Sequence, residues 1–329
     1  MTAHPPQTPD IAVSVIVATA RDTGCERLVR ALREQFAAAG CVYEIVLVLD
    51  GCPRYGWLTG DDPDLRVIVL PQRQGIARAR NRGIAASRGD LLAFLDDDCV
   101  PASAWLDELL RMSREYPGKD AFGGRVIGTA PSNLYSRLRD QIYYFETFGA
   151  WYTQTPASRA GDVIGAPYVN GGNCAYRRAV FLDGTRFDVL LPAYSDVELG
   201  RRLLLRRRAV LSPYMAIHHD HPGDFRQYML RCWRSGRARA LLWWHRRYRE
   251  DSPSAVGAAV AVNLMWHNAV HRRRRIAGPP VRVVAVLTCQ EIVHGIGYAC
   301  ALLASVVGGR RAGGLPDRTA GPGVAAGPP

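Results

Sequence analysis

The sequence predicts an α/β protein with a mixed, mostly parallel sheet flanked by helices and a helical extension at its C-terminal side. Three observations carry that expectation. Short apolar runs of strand length, rich in β-branched residues, recur through the first hundred residues. Segments with helical spacing separate them in the order strand, helix, strand, strand, helix, strand, the alternation expected of right-handed βαβ crossovers. Leu91-Leu92-Ala93-Phe94-Leu95 then runs straight into Asp96-Asp97-Asp98, the profile of a buried parallel strand with an abrupt polar end.

Taken in order, Ile11 to Thr19 is the first strand. Asp22 to Cys25 form a loop and cap, and Glu26 to Ala39 carries Leu28, Leu32 and Phe36 at helical spacing before Gly40. Glu44 to Leu49 and Leu65 to Leu70 are further strands, the former ending in Asp50-Gly51. Gly75 to Ala86 reads as a helix with Ile76, Ala79, Gly83 and Ala86 on one side, and Gly89-Asp90 turns the chain into the strand ending at the aspartates. Cys99-Val100-Pro101 breaks that strand, and Trp105 to Tyr116 is helical. Ala121 to Thr129 looks like a glycine-rich strand. The aromatic run Tyr143-Tyr144-Phe145, Phe148, Trp151 and Tyr152 fits either a mobile ligand-facing segment or core packing. Gly171 to Ala175 reads as a tight loop leading to a helix, and Ser195 to Leu204 as a helix capped by Ser195 or Asp196.

Ligands of open α/β sheets bind beyond the carboxyl ends of the strands, so Thr19, Asp50 and Asp96 to Asp98 are candidate site residues. Adjacent carboxylates repel, and a hard divalent cation relieves the repulsion. Strand geometry points Asp96 and Asp98 one way and Asp97 the other. An acidic turn capping the following helix is the plainer alternative. Neither GxGxxG nor GxxxxGK[ST] occurs, so a nucleotide would be held by strand-end side chains and a metal. Ile217-His218-His219-Asp220-His221 is the histidine cluster. His219 and His221, two apart on an extended segment, could present together to a metal or a pyrophosphate, or simply mark a polar surface turn. The bland role for Asp196 is a carboxylate at a helix start, favoured by the helix dipole.

At 48% hydrophobic and 22% charged residues, the 329-residue chain has the composition of a globular protein with a real core. Its eight cysteines form no CxxC pair or metal-finger spacing and are expected reduced, in a cytoplasmic setting. The first residues lack the basic start and apolar run of a signal peptide. The net charge of +12 is concentrated in one region, since residues 200 to 249 hold 13 arginines against Asp220 and Asp224.

The blocks SVIVAT, EIVLVLDG, QGIARARNRGIAASRGDLLAFLDDD, NGGNCAYRRAVF and SDVELGRRLLLR, in that order and spacing, resemble the family 2 glycosyltransferases, inverting enzymes of the Rossmann-like GT-A fold. The resemblance covers roughly residues 11 to 225. It implies a nucleoside-diphosphate sugar donor and a glycan, lipid-linked or small-molecule acceptor. It further implies donor contacts from Thr19, Asp50, Arg80, Asn81, Asp96 and Asp97, a Mg²⁺ or Mn²⁺ ion on Asp96 and Asp98, and Asp196 as catalytic base. Ser195 stands where the family more often has Glu, and Leu49-Asp50-Gly51-Cys52 where Asp-Asp-Gly-Ser is common.

The implied organisation is an N-terminal tail over 1–10, the transferase domain over 11–225, a basic and apolar helical region over 226–307, and a Gly- and Pro-rich tail over 308–329. Arginines interleaved with Tyr228, Trp233, Trp243, Trp244 and Tyr248 suit an anionic membrane surface at the cytoplasmic face. The apolar stretches 255–270 and 283–307 are short or polar for lone spans, so they would lie in the interface or pack on the catalytic domain, with His271 to Arg275 as an anchor between them. Three rival readings are a nucleic-acid binder, a nucleotidyltransferase and an inactive sugar-nucleotide binder. The first lacks any nucleic-acid motif, the second lacks a glycine- and lysine-rich loop after the first strand, and Asp98 and Asp196 weigh against the third.

Overall fold

The computed structural model describes residues 12–21, 25–52, 55–58, 62–144, 162–164, 166, 168–203, 208–244 and 280–311. The elements are β1 (Val13–Thr19), α1 (Glu26–Ala39), β2 (Tyr43–Asp50), β3 (Leu65–Leu70), α2 (Ile76–Ala86), β4 (Leu91–Asp96), β5 (Cys99–Pro101), α3 (Trp105–Glu115), β6 (Ala121–Gly128), α4 (Leu134–Tyr144), β7 (Val163–Ile164), β8 (Asn173–Arg177), α5 (Ser195–Arg202), β9 (Ala209–His219), α6 (Phe225–Trp244) and α7 (Pro280–Arg311). A 3-10 turn, Arg178–Phe181, follows β8.

One sheet holds all nine strands, in the order β3-β2-β1-β4-β8-β6-β9-β5, with β7 also on β9. The β3-β2-β1-β4 half is parallel, as expected from the crossovers through α1 and α2. β8 runs antiparallel between β4 and β6, and β9 lies parallel to β6. Side chains alternate along β1 as the pleat requires. Val13, Val15 and Val17 join the core under α1 and α3, whereas Ile16 and Ala18 join the core under α2 and α5. Both faces of the central strands are covered, so β1, β2 and β4 hold unbroken buried apolar runs. α2 lies close on β1 because Gly83 has no side chain, a Cβ there falling 2.3 Å from Ile16 Cγ2.

Two expectations are corrected. Residues 173–175 belong to strand β8, not to a loop ahead of a helix, and Cys99–Pro101 is itself a short strand on β9. Asn173 explains the first. Its side chain donates to the carbonyls of Arg125 (2.9 Å) and Met215 (2.8 Å) and accepts from Trp105 Nε1 (2.8 Å), pinning β8 to β6, to β9 and to α3. The β6–β9 register shifts between Gly124 and Val126, where residues 213–216 of β9 stand against Arg125 alone and the carbonyl of Met215 occupies the space of a Cβ on Gly124.

A third cluster joins α4, α6 and α7 through Leu138, Tyr228, Cys232, Val283 and Leu287. α6 and α7 cross at their glycines. A Cβ on Gly236 would sit 2.0 Å from the His294 carbonyl oxygen, and one on Gly297 would sit 2.6 Å from that of Trp233. α7 runs on through Gly308 to Arg311, into the stretch assigned to a tail. The aromatic run from Phe145 to Tyr152, the stretch 255–270 and the basic run 271–275 lie outside the described residues.

Candidate active site

The carboxyl ends of β1, β2 and β4 and the start of α5 converge on one side of the sheet. Asp96 is the last residue of β4, and Asp97 and Asp98 fall in the turn before β5. The three aspartates divide as the strand geometry predicts. Asp97 accepts from the Thr19 hydroxyl and lies 3.4 Å from Arg21 Nε. Asp96 and Asp98 face His219, with His219 Nε2 3.1 Å from Asp98 Oδ1 and 3.8 Å from Asp96 Oδ2. Burial pushes the Asp97 carboxyl above its ordinary range, opposed by the Thr19 hydroxyl and Arg21 and reinforced by the flanking carboxylates.

β9 supplies His219, opposite Cys99 of β5 in the antiparallel register. Its Nδ1 lies 2.9 Å from the Asp220 carbonyl, so Nδ1 donates there and Nε2 is left facing the two carboxylates. A cation placed between them would be shared by Nε2 and both carboxylates. Asp96, Asp98 and His219 thus form a cluster whose donor atoms lie within 4.8 Å of one another, and this oxygen-rich set with one imidazole fits a divalent cation such as Mg²⁺ or Mn²⁺. Among the described residues this cluster does not include His221. The His221 ring stands 5.2 Å from that of His219, and burial, with His219, Arg139 and Arg231 nearby, pushes its pKa down to about 3.

Arg80, on the inner face of α2 and 7% exposed, donates to Asp96 Oδ1 (3.1 Å) and to the Gly171 carbonyl (2.7 Å). Asp196 occupies the first turn of α5 and accepts the Gly171 N–H through Oδ2 at 2.8 Å. Arg80, Asp96 and Asp196 therefore line one cleft of about 390 Å³, with Gly171 and Gly172 on its wall. Both glycines are required: a Cβ at Gly171 would fall 2.6 Å from Arg80 Nη1, and one at Gly172 would fall 2.3 Å from Asp96 Oδ2. The opposite wall comes from the C-terminal helices, through Arg231, Arg234 and Ser235 of α6 and Gln290, Glu291 and His294 of α7.

A smaller cavity of about 230 Å³ opens at the ends of β1 and β2, lined by Thr19, Asp50, Arg73 and Asp97 among others. Asp50 accepts the N–H groups of Gln74 (2.6 Å) and Gly75 (2.8 Å), which fixes the entry to α2. Asn81 is placed differently. Its amide is bonded at both ends to the backbone of Phe187, at 2.9 Å each, so it secures that loop and lines none of these cavities. Sequence reasoning missed Arg21, which pairs with Asp98, and Tyr55, whose hydroxyl meets Thr19 Oγ1 at 3.2 Å. It also missed the α6–α7 wall. The Gly171-Gly172 pair was legible as a tight turn, but its purpose depends on where Arg80 and Asp96 arrive.

The family model for "Glycosyl transferase family 2" matches residues 14–184. A pre-mycofactocin glycosyltransferase of Mycobacterium tuberculosis is 27% identical over 238 residues, spanning 69% of this chain and 47% of that protein. A glucosyl-dolichyl phosphate glucuronosyltransferase of Haloferax volcanii is 28% identical over 181 residues, 54% of this chain and 56% of that one. The chain thus spans about half the length of these curated relatives. Among solved structures, a mannosyltransferase from Pyrobaculum calidifontis in complex with GDP-mannose and Mn²⁺ aligns with a TM-score of 0.50 at 18% identity, over 95% of this chain and 79% of that one, a likeness of fold.

Proposed function

The chain belongs to glycosyl transferase family 2, and from that premise we propose that it moves a sugar from a nucleoside-diphosphate donor to an acceptor hydroxyl with inversion at the anomeric carbon. The observation that carries this reading is that one cleft is lined by both Asp96 and Asp196. The nucleoside would lie in the cavity beside Thr19, Asp50 and Asp97, with its diphosphate toward Asp96, Asp98 and His219. A Mg²⁺ or Mn²⁺ ion held there supplies charge to the departing diphosphate. Arg80 keeps Asp96 oriented and screens its charge from within the fold. Asp196, held by the Gly171 N–H, takes the acceptor's proton as its oxygen bonds the anomeric carbon and the bond to the diphosphate breaks. With Asp196 deprotonating the acceptor and not attacking the donor, transfer is a single displacement, hence inversion.

The acceptor is proposed to be lipid-linked or an envelope glycan, met at an anionic membrane surface. Supporting that, α7 contains one stretch among the described residues, Ala285–Ser305, long and apolar enough to cross a bilayer, and Ile292, Ile296 and Leu303 on it are exposed. The mycobacterial and haloarchaeal relatives are named for pre-mycofactocin and for glucosyl-dolichyl phosphate respectively.

The deciding experiment is thermal stabilisation by a panel of nucleoside diphosphates with and without Mn²⁺. A ligand that binds only the native state at about 100 times its Kd adds roughly 2.7 kcal/mol, a shift of several degrees. One diphosphate should stabilise in a Mn²⁺-dependent way, and Asp98→Ala should abolish the effect. Asp196→Asn should retain the stabilisation and lose sugar transfer by at least about 100-fold. Transfer at wild-type rate by Asp196→Asn would sink the assignment of the base.

A further inference from the structure

Tyr194 stands immediately before α5 with φ +61°, a left-handed backbone that glycine or asparagine takes more easily than tyrosine. Its carbonyl accepts the Glu198 N–H at 3.0 Å, so it caps the turn that carries Asp196. A cap alone has no use for a phenol. The side chain instead crosses the cleft to α6, where its hydroxyl hydrogen-bonds Ser235 Oγ and the Arg239 guanidinium lies over its ring at 5.7 Å from the centroid. Ser235 and Arg239 are four residues apart and share one face of α6. Gly236, the next residue, is where the backbone of α7 passes closest.

We propose that Tyr194 is a positioning residue: it ties Asp196 to α6, so that the seating of the α6–α7 pair sets the placement of the base. This rests on the reading of Asp196 as base. Asp196 then has two anchors, the Gly171 N–H from the sheet side and the Tyr194 tether from the helix side. The tether links the start of α5 to a helix pair whose outer residues Ile292, Ile296 and Leu303 are apolar and exposed. A displacement of α7 against Gly236 is passed through Ser235 to the residue two before Asp196. The catalytic contact with substrate remains that of Asp196 itself.

The test uses the full-length, Mn²⁺-loaded protein and three variants, Tyr194→Phe, Ser235→Ala and the two combined. With GDP-mannose and UDP-glucose as probes, release of free nucleoside diphosphate is followed. Each single variant should lower kcat by about five- to tenfold with donor KM and Tm unchanged, and the double variant should be no worse than either single one. Hydrogen exchange, which needs no substrate, should show faster exchange of the amides of 197–202 in Tyr194→Phe with the sheet unchanged. Wild-type exchange in that segment, or kcat effects that multiply in the double variant, overturns the proposal. Asp196→Asn run alongside separates the two readings. Turnover surviving in Asp196→Asn removes the base but leaves the exchange result to decide the tether.

Discussion

Gly172 sets how closely the loop before β8 approaches Asp96. With a Cβ placed 2.3 Å from Asp96 Oδ2, Gly172→Ala must push the carboxylate aside, and a carboxylate moved by even an ångström leaves the geometry it shares with His219. Mn²⁺ affinity should fall by at least about tenfold, read by titration of the metal, while Tm in the absence of metal changes little. Asp140 offers a separate test away from the site. Burial raises its pKa above the ordinary 3.8, with Arg125 and the Gly128 N–H pulling it back. A carboxyl whose pKa is raised by folding binds protons more readily in the native state than in the unfolded chain, so it subtracts stability as pH rises past 3.8. Asp140→Asn should therefore raise Tm at pH 7, and the advantage should vanish in acid below that value. The residues at strand ends were legible because their position follows from where apolar runs stop. His219 was legible as a metal candidate beside His221, but the carboxylates it meets were not, since they are set by its pairing with Cys99.

At the scale of elements, the parallel half of the sheet could be read directly because its central strands hold unbroken buried apolar runs, Val15 to Ala18 in β1 and Ile45 to Leu49 in β2. β8 could not. Its five residues follow two glycines, and only the pairing with β4 and β6 and the bonds of Asn173 make it a strand. β9 hid for another reason: Pro213 interrupts its run, and proline argues against a strand except where the ladder is broken, which is where the bulge falls. α6 was expected as part of a basic, aromatic segment and α7 as an apolar one, but their crossing through Gly236 and Gly297 depends on two residues that carry no hydropathy signal. Gly236→Leu should force the pair apart and cost about 1–3 kcal/mol in denaturant unfolding, with a loss of activity where the cleft loses its second wall.

Across the whole molecule, the C-terminal helices set charge beside exposed apolar residues: α6 carries Arg226, Arg231, Arg234, Arg237 and Arg239, and α7 exposes Ile292, Ile296 and Leu303. Flotation with vesicles containing anionic lipid should carry the protein upward. The combined variant Ile292→Ser, Ile296→Ser, Leu303→Ser should remove most of that binding, and raised salt should weaken it through screening of the arginines. A variant that floats as well as the wild type would place the contact elsewhere.

The pairing of β5 with β9 also bears on how the chain comes together. β1, β2 and β4 gather residues within the first hundred positions, whereas His219 reaches Asp98 only after residues some 120 apart in sequence have joined. Long-range pairing of that kind is slow relative to local structure. During refolding, high-affinity Mn²⁺ uptake should lag behind the recovery of helical circular dichroism, because the ion has its full set of donors only once the last strand has docked. A metal signal that rises with the earliest phase would mean that Asp96 and Asp98 suffice without the histidine.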